Sequence, residues 1–245
     1  MPGDKIKAKL LTAALPHVPF DGWSDATLKA AVSDTGLSEG IARAVFPRGG
    51  LDLALAYHAQ GDEAMVEALA TTDLAALRFR DRIARAVIIR LELADRELVR
   101  RGTTLFALPQ HSAEGAAAIW RTADRIWVAL GDESRDLNWY SKRATLSAVY
   151  GATVLFWLGD TSPGHQATRE FLDRRIDQVM GFEKLKARFR ASAFGKAFLA
   201  GPGRALSAIR APARKTGRSG QEGEAWLPCQ ARTHKPLPCS NPRRR

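Results

Sequence analysis

Cysteine is nearly absent: the 245 residues contain only Cys229 and Cys239, with no Cys-x-x-Cys and one neighbouring histidine, His234. That supports neither a zinc site nor a disulfide framework, and nothing argues for an oxidising compartment. The five histidines, His17, His58, His111, His165 and His234, are dispersed, and each reads as a surface or satisfied core residue rather than a ligand. Runs of alternating β-branched residues are missing, which argues against a sheet. So is a membrane-length apolar run. Residues 144–158 carry no charge, but these fifteen positions, bounded by Lys142-Arg143 and Asp160, fall short of the about twenty residues a spanning helix needs. They read as a helix buried on all sides.

Catalytic signatures are missing as well. There is no phosphate-cradling glycine loop ending in Lys-Ser/Thr, no His-Glu-x-x-His and no Gly-x-Ser-x-Gly. Asp132, Ser134, Asp136 and Asn138 have the alternate-residue oxygens of a calcium loop, but Leu137 stands at its glycine and Arg143 at its bidentate glutamate. The run reads instead as a solvated, helix-capping turn. No catalytic residue, metal or cofactor is expected.

Acidic residues are scarce at one end. Residues 1–180 carry 22 Lys+Arg against 23 Asp+Glu, whereas residues 181–245 carry 15 against three, Glu183, Glu222 and Glu224. The formal charge of +11 therefore belongs to a tail of +12 on a nearly neutral body. Within that tail a helical projection places Phe182, Leu185, Phe189 and Ala193 on one face, flanked by Lys184, Lys186, Arg188 and Arg190. Phe194 and Phe198 continue it on a shifted face. Apolar residues bordered by basic ones fit a helix lying among anionic headgroups, where each basic residue contributes on the order of 1 kcal/mol. Beyond Ile209 the chain turns to Pro, Gly, Arg and Ser, and disorder is expected.

What is present is helical periodicity, and with 45% hydrophobic residues there is enough to bury a core. The fold class expected is all-α. A first helix is read over residues 6–17, then one capped by Ser24 running to Thr35, a stop at Gly36, and a short helix capped by Ser38 and ending at Phe46. Gly49-Gly50 precede a fourth. Apolar positions Leu77, Ala84, Val87, Ile88, Leu91 and Leu98 predict one long amphipathic helix over residues 77–101. Further helices follow from Ser112 to Gly131, through residues 144–158, and from Gly164 to Met180.

Helix, tight turn and short helix resemble a helix-turn-helix. The second helix, Ser38-Glu39-Gly40-Ile41-Ala42-Arg43-Ala44-Val45-Phe46, is mostly apolar, holds one Arg and begins with an acid. One or two phosphate contacts give little affinity at physiological salt, so nucleic acid is not expected as a partner. A DNA-binding regulator with a hydrophobic ligand pocket remains the alternative.

Several stretches are similar to the accessory family of coenzyme Q (ubiquinone) biosynthesis, the ninth Coq protein of eukaryotes and its alphaproteobacterial relatives. They are Leu11-Thr12-Ala13-Ala14-Leu15-Pro16-His17-Val18-Pro19 with Gly22-Trp23, then Ala123-Asp124-Arg125-Ile126-Trp127, and above all Gly131-Asp132-Glu133-Ser134-Arg135-Asp136-Leu137-Asn138-Trp139-Tyr140 followed by Arg143-Ala144. The likeness runs from about Ile6 to Met180 and more loosely through the amphipathic helix.

The resemblance implies a TetR-like bundle of about nine to ten helices with a degenerate helix-turn-helix, a C-terminal amphipathic helix, and a cavity for an isoprenoid lipid or quinone intermediate. It also implies a partner, demethoxyubiquinone hydroxylase, to which a non-enzymatic carrier presents that lipid. The partner surface would comprise Ile126, Trp127, Asp136, Asn138, Trp139, Tyr140 and Arg143. Lipid-lining residues are expected from apolar helix faces: Val87, Leu91, Leu146, Tyr150, Val154 and Phe171. Membrane contact falls to Phe182, Lys184, Leu185, Lys186, Arg188, Phe189, Arg190, Phe194 and Phe198. The expected organisation is a helix-turn-helix-like module (1–50), a lipid- and partner-binding core (51–180), a membrane-associating helix (181–210) and a basic tail (211–245). TetR-like folds often dimerise, but no residue pattern fixes an interface. Lys5, Lys7 and Lys9 interrupt any leader-like apolar region, so the expected location is the bacterial cytoplasm, peripheral on the inner face of the cytoplasmic membrane.

Overall fold

The computed structural model describes residues 2–191 and 210–212. Among these there are ten α-helices and no strand: α1 (Pro2–Ala14), α2 (Val18–Asp21), α3 (Asp25–Thr35), α4 (Glu39–Val45), α5 (Gly50–Thr71), α6 (Phe79–Glu92), α7 (Arg96–Phe106), α8 (Ser112–Ala129), α9 (Leu137–Gly159) and α10 (Gln166–Ala191). The all-α class expected from periodicity is the observed one.

Local capping chemistry sets many of these boundaries. Ser24 accepts the Thr27 N–H at 3.3 Å and opens α3, which Gly36 closes at φ 66°, ψ 18°. Glycine reaches this left-handed conformation without steric cost, which is why it ends helices. Ser38 accepts the Ile41 N–H at 3.3 Å and opens α4. The first expected helix ends three residues early, at Ala14, where the chain turns around Pro16 before the short α2; proline lacks the N–H that a continuing helix would use.

The single long helix expected over residues 77–101 is two. It breaks between Glu92 and Arg96, where Asp95 accepts the Glu97 and Leu98 N–H groups at 2.8 and 3.0 Å and starts α7 anew. A tertiary contact holds the break. Arg96 donates to the carbonyls of Trp157, Leu158 and Asp160 at 2.7, 3.0 and 2.5 Å, satisfying the C-terminal end of α9.

Two apolar cores are built on this frame. One joins α1, α3, α4 and the start of α5 around Leu10, Val18, Trp23, Leu28, Phe46 and Leu53. The other lies among α5, α6, α8, α9 and α10 around Met65, Val87, Ile126, Leu146, Tyr150 and Leu172. Trp23 links the first core to α7 by donating from its indole to the Leu98 carbonyl at 3.1 Å. At Gly50 an added Cβ would sit 2.3 Å from the Trp23 carbonyl oxygen, so only glycine lets α5 begin there.

Helix α9 is not buried all round, as its uncharged sequence had suggested: Leu155 is 61% and Phe156 36% exposed. Phe156 stacks on Phe171 of α10, centroids 4.4 Å apart. Among the described residues, no helix is long and apolar enough to cross a membrane. Helix α10 runs unbroken past residue 180, so the boundary expected at 180/181 falls inside one helix.

Candidate functional site

Helices α5 to α9 enclose a cavity of about 420 Å³, within the usual range for small-molecule pockets. Its walls are largely apolar: Trp23, Ala54, Leu98, Phe106, Ile119 and Val154 contribute. Three glycines shape it. At Gly115 a Cβ would lie 2.7 Å from Phe106 Cβ, so this residue permits the close approach of α7 and α8. At Gly151 and Gly102 an added Cβ would meet its nearest neighbour at 3.6 Å, an ordinary contact distance, so there the bare backbone itself forms the wall. Ala107, Ala116 and Leu155 are exposed and form the mouth, while Arg90 and Tyr150 are buried at the inner end.

That inner end is polar. Arg90 donates from Nε to Asp62 Oδ1 at 2.9 Å and from Nη2 to the His58 carbonyl at 3.1 Å. His58 Nε2 lies 2.8 Å from Thr122 Oγ1, which in turn is 2.9 Å from Asp62 Oδ1. The network is satisfied when His58 carries its proton on Nε2 and donates to Thr122, whose hydroxyl donates to Asp62. Burial pushes His58 down to about 4; the nearby Asp62 carboxylate opposes the shift and Arg90 adds to it. The imidazole is therefore neutral at physiological pH. Burial also raises the phenols of Tyr57 and Tyr150, which keep their protons.

Of the lipid-lining residues expected from sequence, Tyr150 and Val154 reach this cavity. Leu91 lines a separate pocket with Arg96 and Trp157, and Phe171 a groove between α9 and α10. Val87 and Leu146 line none of these three and pack in the core, because helix periodicity shows which face is buried but not which part of the interior is empty. Tyr57, His58 and Arg90 were missed. The signal for them was a single Arg inside the apolar run Ala86-Val87-Ile88-Ile89-Arg90-Leu91, with His58 and Asp62 one helical turn apart.

A second constellation surrounds the start of α9. Asp136 caps the helix by accepting the Asn138 N–H at 3.0 Å. Trp120, Trp139 and Tyr140 form a half-buried aromatic row with centroid separations of 6.0 and 4.7 Å. Arg143 packs its guanidinium 4.1 Å from the Trp139 ring. It also donates to Asp124 at 2.5 Å, and to Asp132 and the Trp139 carbonyl at 3.1 Å each.

Asp132 is therefore not part of a solvated turn. Its carboxylate is 3% exposed and also takes Lys142 at 2.7 Å. Burial alone would raise its pKa, but hydrogen bonds from Lys142, Ser134 and Arg143 hold it at about 2. The expected partner set divides accordingly. Asp136 is exposed, and Asn138, Trp139 and Tyr140 are half-buried. Ile126, Trp127 and Arg143 are interior, a correction to the surface role expected of them: Arg143 and Ile126 are wholly buried, and the Trp127 indole donates inward to the Lys142 carbonyl at 3.1 Å. Trp120 joins the row from the preceding helix. The chain returns at residues 210 and 211, where Tyr140 donates to the Arg210 carbonyl at 3.3 Å and Ala211 donates to the Arg135 carbonyl at 3.0 Å.

The expected membrane residues Phe182, Lys184, Leu185, Lys186, Arg188, Phe189 and Arg190 lie on the α10 backbone, but their side chains, like Phe194 and Phe198 altogether, fall outside the described residues.

Comparison with known proteins finds similarity over a segment that holds the aromatic row and the part of the cavity wall on α8 and α9. The COQ9 family model matches residues 112–183, which span α8, α9 and the first part of α10. The chain is 32% identical over 188 residues to the mitochondrial ubiquinone biosynthesis protein COQ9 of Drosophila melanogaster, covering 74% of this chain and 57% of that one. The chain is similar to COQ9. The Homo sapiens COQ9 protein is 28% identical over 186 residues, 72% of this chain and 58% of its own length. The Schizosaccharomyces pombe protein is 28% identical over 183 residues, 74% of this chain and 72% of its own. The match thus spans under three fifths of the fly and human COQ9 chains. Among solved structures, the TetR transcriptional regulator of Nitrosomonas europaea superposes with a TM-score of 0.58 at 19% identity, over 71% of this chain and 97% of that one. The fold of the chain is TetR-like.

Proposed function

We propose that this chain is a non-enzymatic carrier in ubiquinone biosynthesis, which binds an isoprenoid quinone intermediate at the membrane and presents it to demethoxyubiquinone hydroxylase. The observation that carries this reading is the apolar cavity of about 420 Å³, open at one side and floored by donors, in a relative of proteins named for ubiquinone biosynthesis. Moving an isoprene unit out of water is worth roughly 3 to 4 kcal/mol at about 0.8 kcal/mol per carbon. A polyprenyl tail already lies in hydrocarbon, so its transfer from a bilayer to the cavity gains little. A carrier of this kind therefore needs proximity to the membrane more than affinity, and the basic, Phe-bearing segment from residue 182 onward supplies it. The working location is the inner face of a bacterial cytoplasmic membrane.

The hydroxylase docks on the half-buried aromatic row of Trp120, Trp139 and Tyr140 together with the adjoining Asp136 and Asn138. Tryptophan and tyrosine are the side chains that most often anchor interfaces. Ile126, Trp127 and Arg143 act beneath it by holding the start of α9 in place. Deleting the gene tests the assignment: cellular ubiquinone falls and the unhydroxylated precursor accumulates. Normal ubiquinone in the deletion strain would contradict it.

The helix, turn and helix of α3 and α4 keep alive the alternative of a DNA-binding regulator. Against it, the Arg43 guanidinium is held by Asp25 at 2.8 Å and Glu39 opens the helix that would enter the groove. Anisotropy with genomic fragments at 50 to 200 mM salt, roughly the range over which phosphate contacts are lost, tests that reading.

A further inference from the structure

The cavity is chemically lopsided, and that asymmetry orients its occupant. Its floor holds Arg90, His58, Tyr57 and Tyr150, whereas its wall toward the mouth is made of Val99, Phe106, Ile119, Val154 and Leu155. We infer that an amphiphile enters head first, with a neutral, oxygen-bearing ring against the phenols of Tyr57 and Tyr150 and its apolar tail leaving past Leu155. This rests on the carrier reading above and adds to it which end of the lipid is held.

Three observations support that orientation. The floor is polar yet carries no net charge: Arg90 is paired with Asp62 at 2.9 Å, and His58 is bonded to Thr122 in its neutral form. A carboxylate or phosphate head would find no unpaired cation there, while a carbonyl or methoxy oxygen would find a hydroxyl donor in Tyr57, beside the Tyr150 hydroxyl that is bonded to Thr122. Tyr57 already accepts the Asp95 N–H at 3.1 Å, so its own proton remains to be donated, and no acceptor for it is present among the described residues. A hydrocarbon chain pressed against this floor would strip water from the phenols and offer no oxygen in return.

The walls match a flat ring as well. Trp23 and Tyr57 lie with ring centroids 5.4 Å apart, inclined by 34°, and both line the cavity. Offset and tilted aromatic packing of this kind extends readily to a third ring. Size sets the last limit. A space of about 420 Å³ suits a substituted ring and a short stretch of tail rather than a long polyprenyl chain, and Leu155, 61% exposed, stands where the rest would emerge.

The test uses the full chain in detergent micelles with two probes, decylubiquinone and the ring-free isoprenoid farnesol, and the variants Tyr57→Phe, Tyr150→Phe and Val154→Trp. Tyr57→Phe, checked for an unchanged melt, should weaken decylubiquinone about fivefold, the usual worth of one neutral hydrogen bond, and Tyr150→Phe, whose hydroxyl is shared with Thr122, should weaken it by less. Farnesol binding should stay the same. Val154→Trp should weaken both by filling the passage. If the Phe variants leave decylubiquinone unaltered, or weaken both probes alike, while Val154→Trp still blocks them, the head-first orientation is overturned and the carrier reading stands. If the unaltered protein binds neither probe, both fall together.

Discussion

The Asp62 carboxylate and the Arg90 guanidinium meet at 2.9 Å in the interior, with their side chains only 5% and 3% exposed. The contact joins α5 to α6 directly beneath the cavity, and Gly61 makes room for it: a Cβ there would fall 2.6 Å from the Arg90 Cζ. Two charges out of water are further supported here, the carboxylate by a hydrogen bond from Thr122 and the guanidinium by one to the His58 carbonyl.

Breaking the pair from one side strands a charge. Asp62→Ala should therefore cost about 3 to 5 kcal/mol in urea unfolding. Replacing both groups by apolar residues of similar volume, Asp62→Leu with Arg90→Met, should recover most of that loss. A double variant as unstable as the single one would show that the charges themselves are required.

The depressed His58 gives a pH dependence of defined sign. Its folded pKa, about 4, lies below the ordinary value of 6.5. Between those values the unfolded chain takes up a proton that the folded chain refuses. Stability is thus fully present above pH 6.5 and declines as pH falls toward 4, by on the order of 3 kcal/mol. His58→Gln should flatten that part of the profile. The buried Asp132, held at about 2, acts lower, its contribution being lost as pH falls from the ordinary 3.8. An unchanged slope between pH 6.5 and 4 in His58→Gln would refute the assignment to this residue.

Trp139 and Arg143 touch each other yet should respond differently. Trp139 is half-buried, so Trp139→Lys should abolish hydroxylase pull-down while shifting the melt little. Arg143 is wholly buried and bonded to Asp124 and Asp132, so Arg143→Ala should cost about 3 to 5 kcal/mol of stability. A collapsed melt in Trp139→Lys would return that ring to the core.

Capping residues were the most legible part of the fold. Ser24, Gly36 and Ser38 announce their helix ends because each effect is local, a side chain or a left-handed φ within three residues. Asp95 caps no less locally, but the apolar period runs on through Leu98 and masks it, and the partner that fixes the break, the Arg96 contact to the end of α9, lies some sixty residues away. The candidate site divides along the same line. The Asn-Trp-Tyr segment is contiguous and stands out in the sequence, whereas the cavity floor is assembled from α5, α6, α8 and α9 by packing alone. Arg143 shows the limit of reading a cluster of Trp, Tyr and Arg as a surface: its charge is answered from beneath by two acids on other segments.

The most direct test of the carrier account is extraction and mass spectrometry of the lipids that accompany the full chain when it is purified from its own host. A polyprenyl quinone or its phenolic precursor, reduced in the Val154→Trp protein, is the predicted result. Protein that emerges without isoprenoid and takes none up from quinone-loaded vesicles would contradict the account.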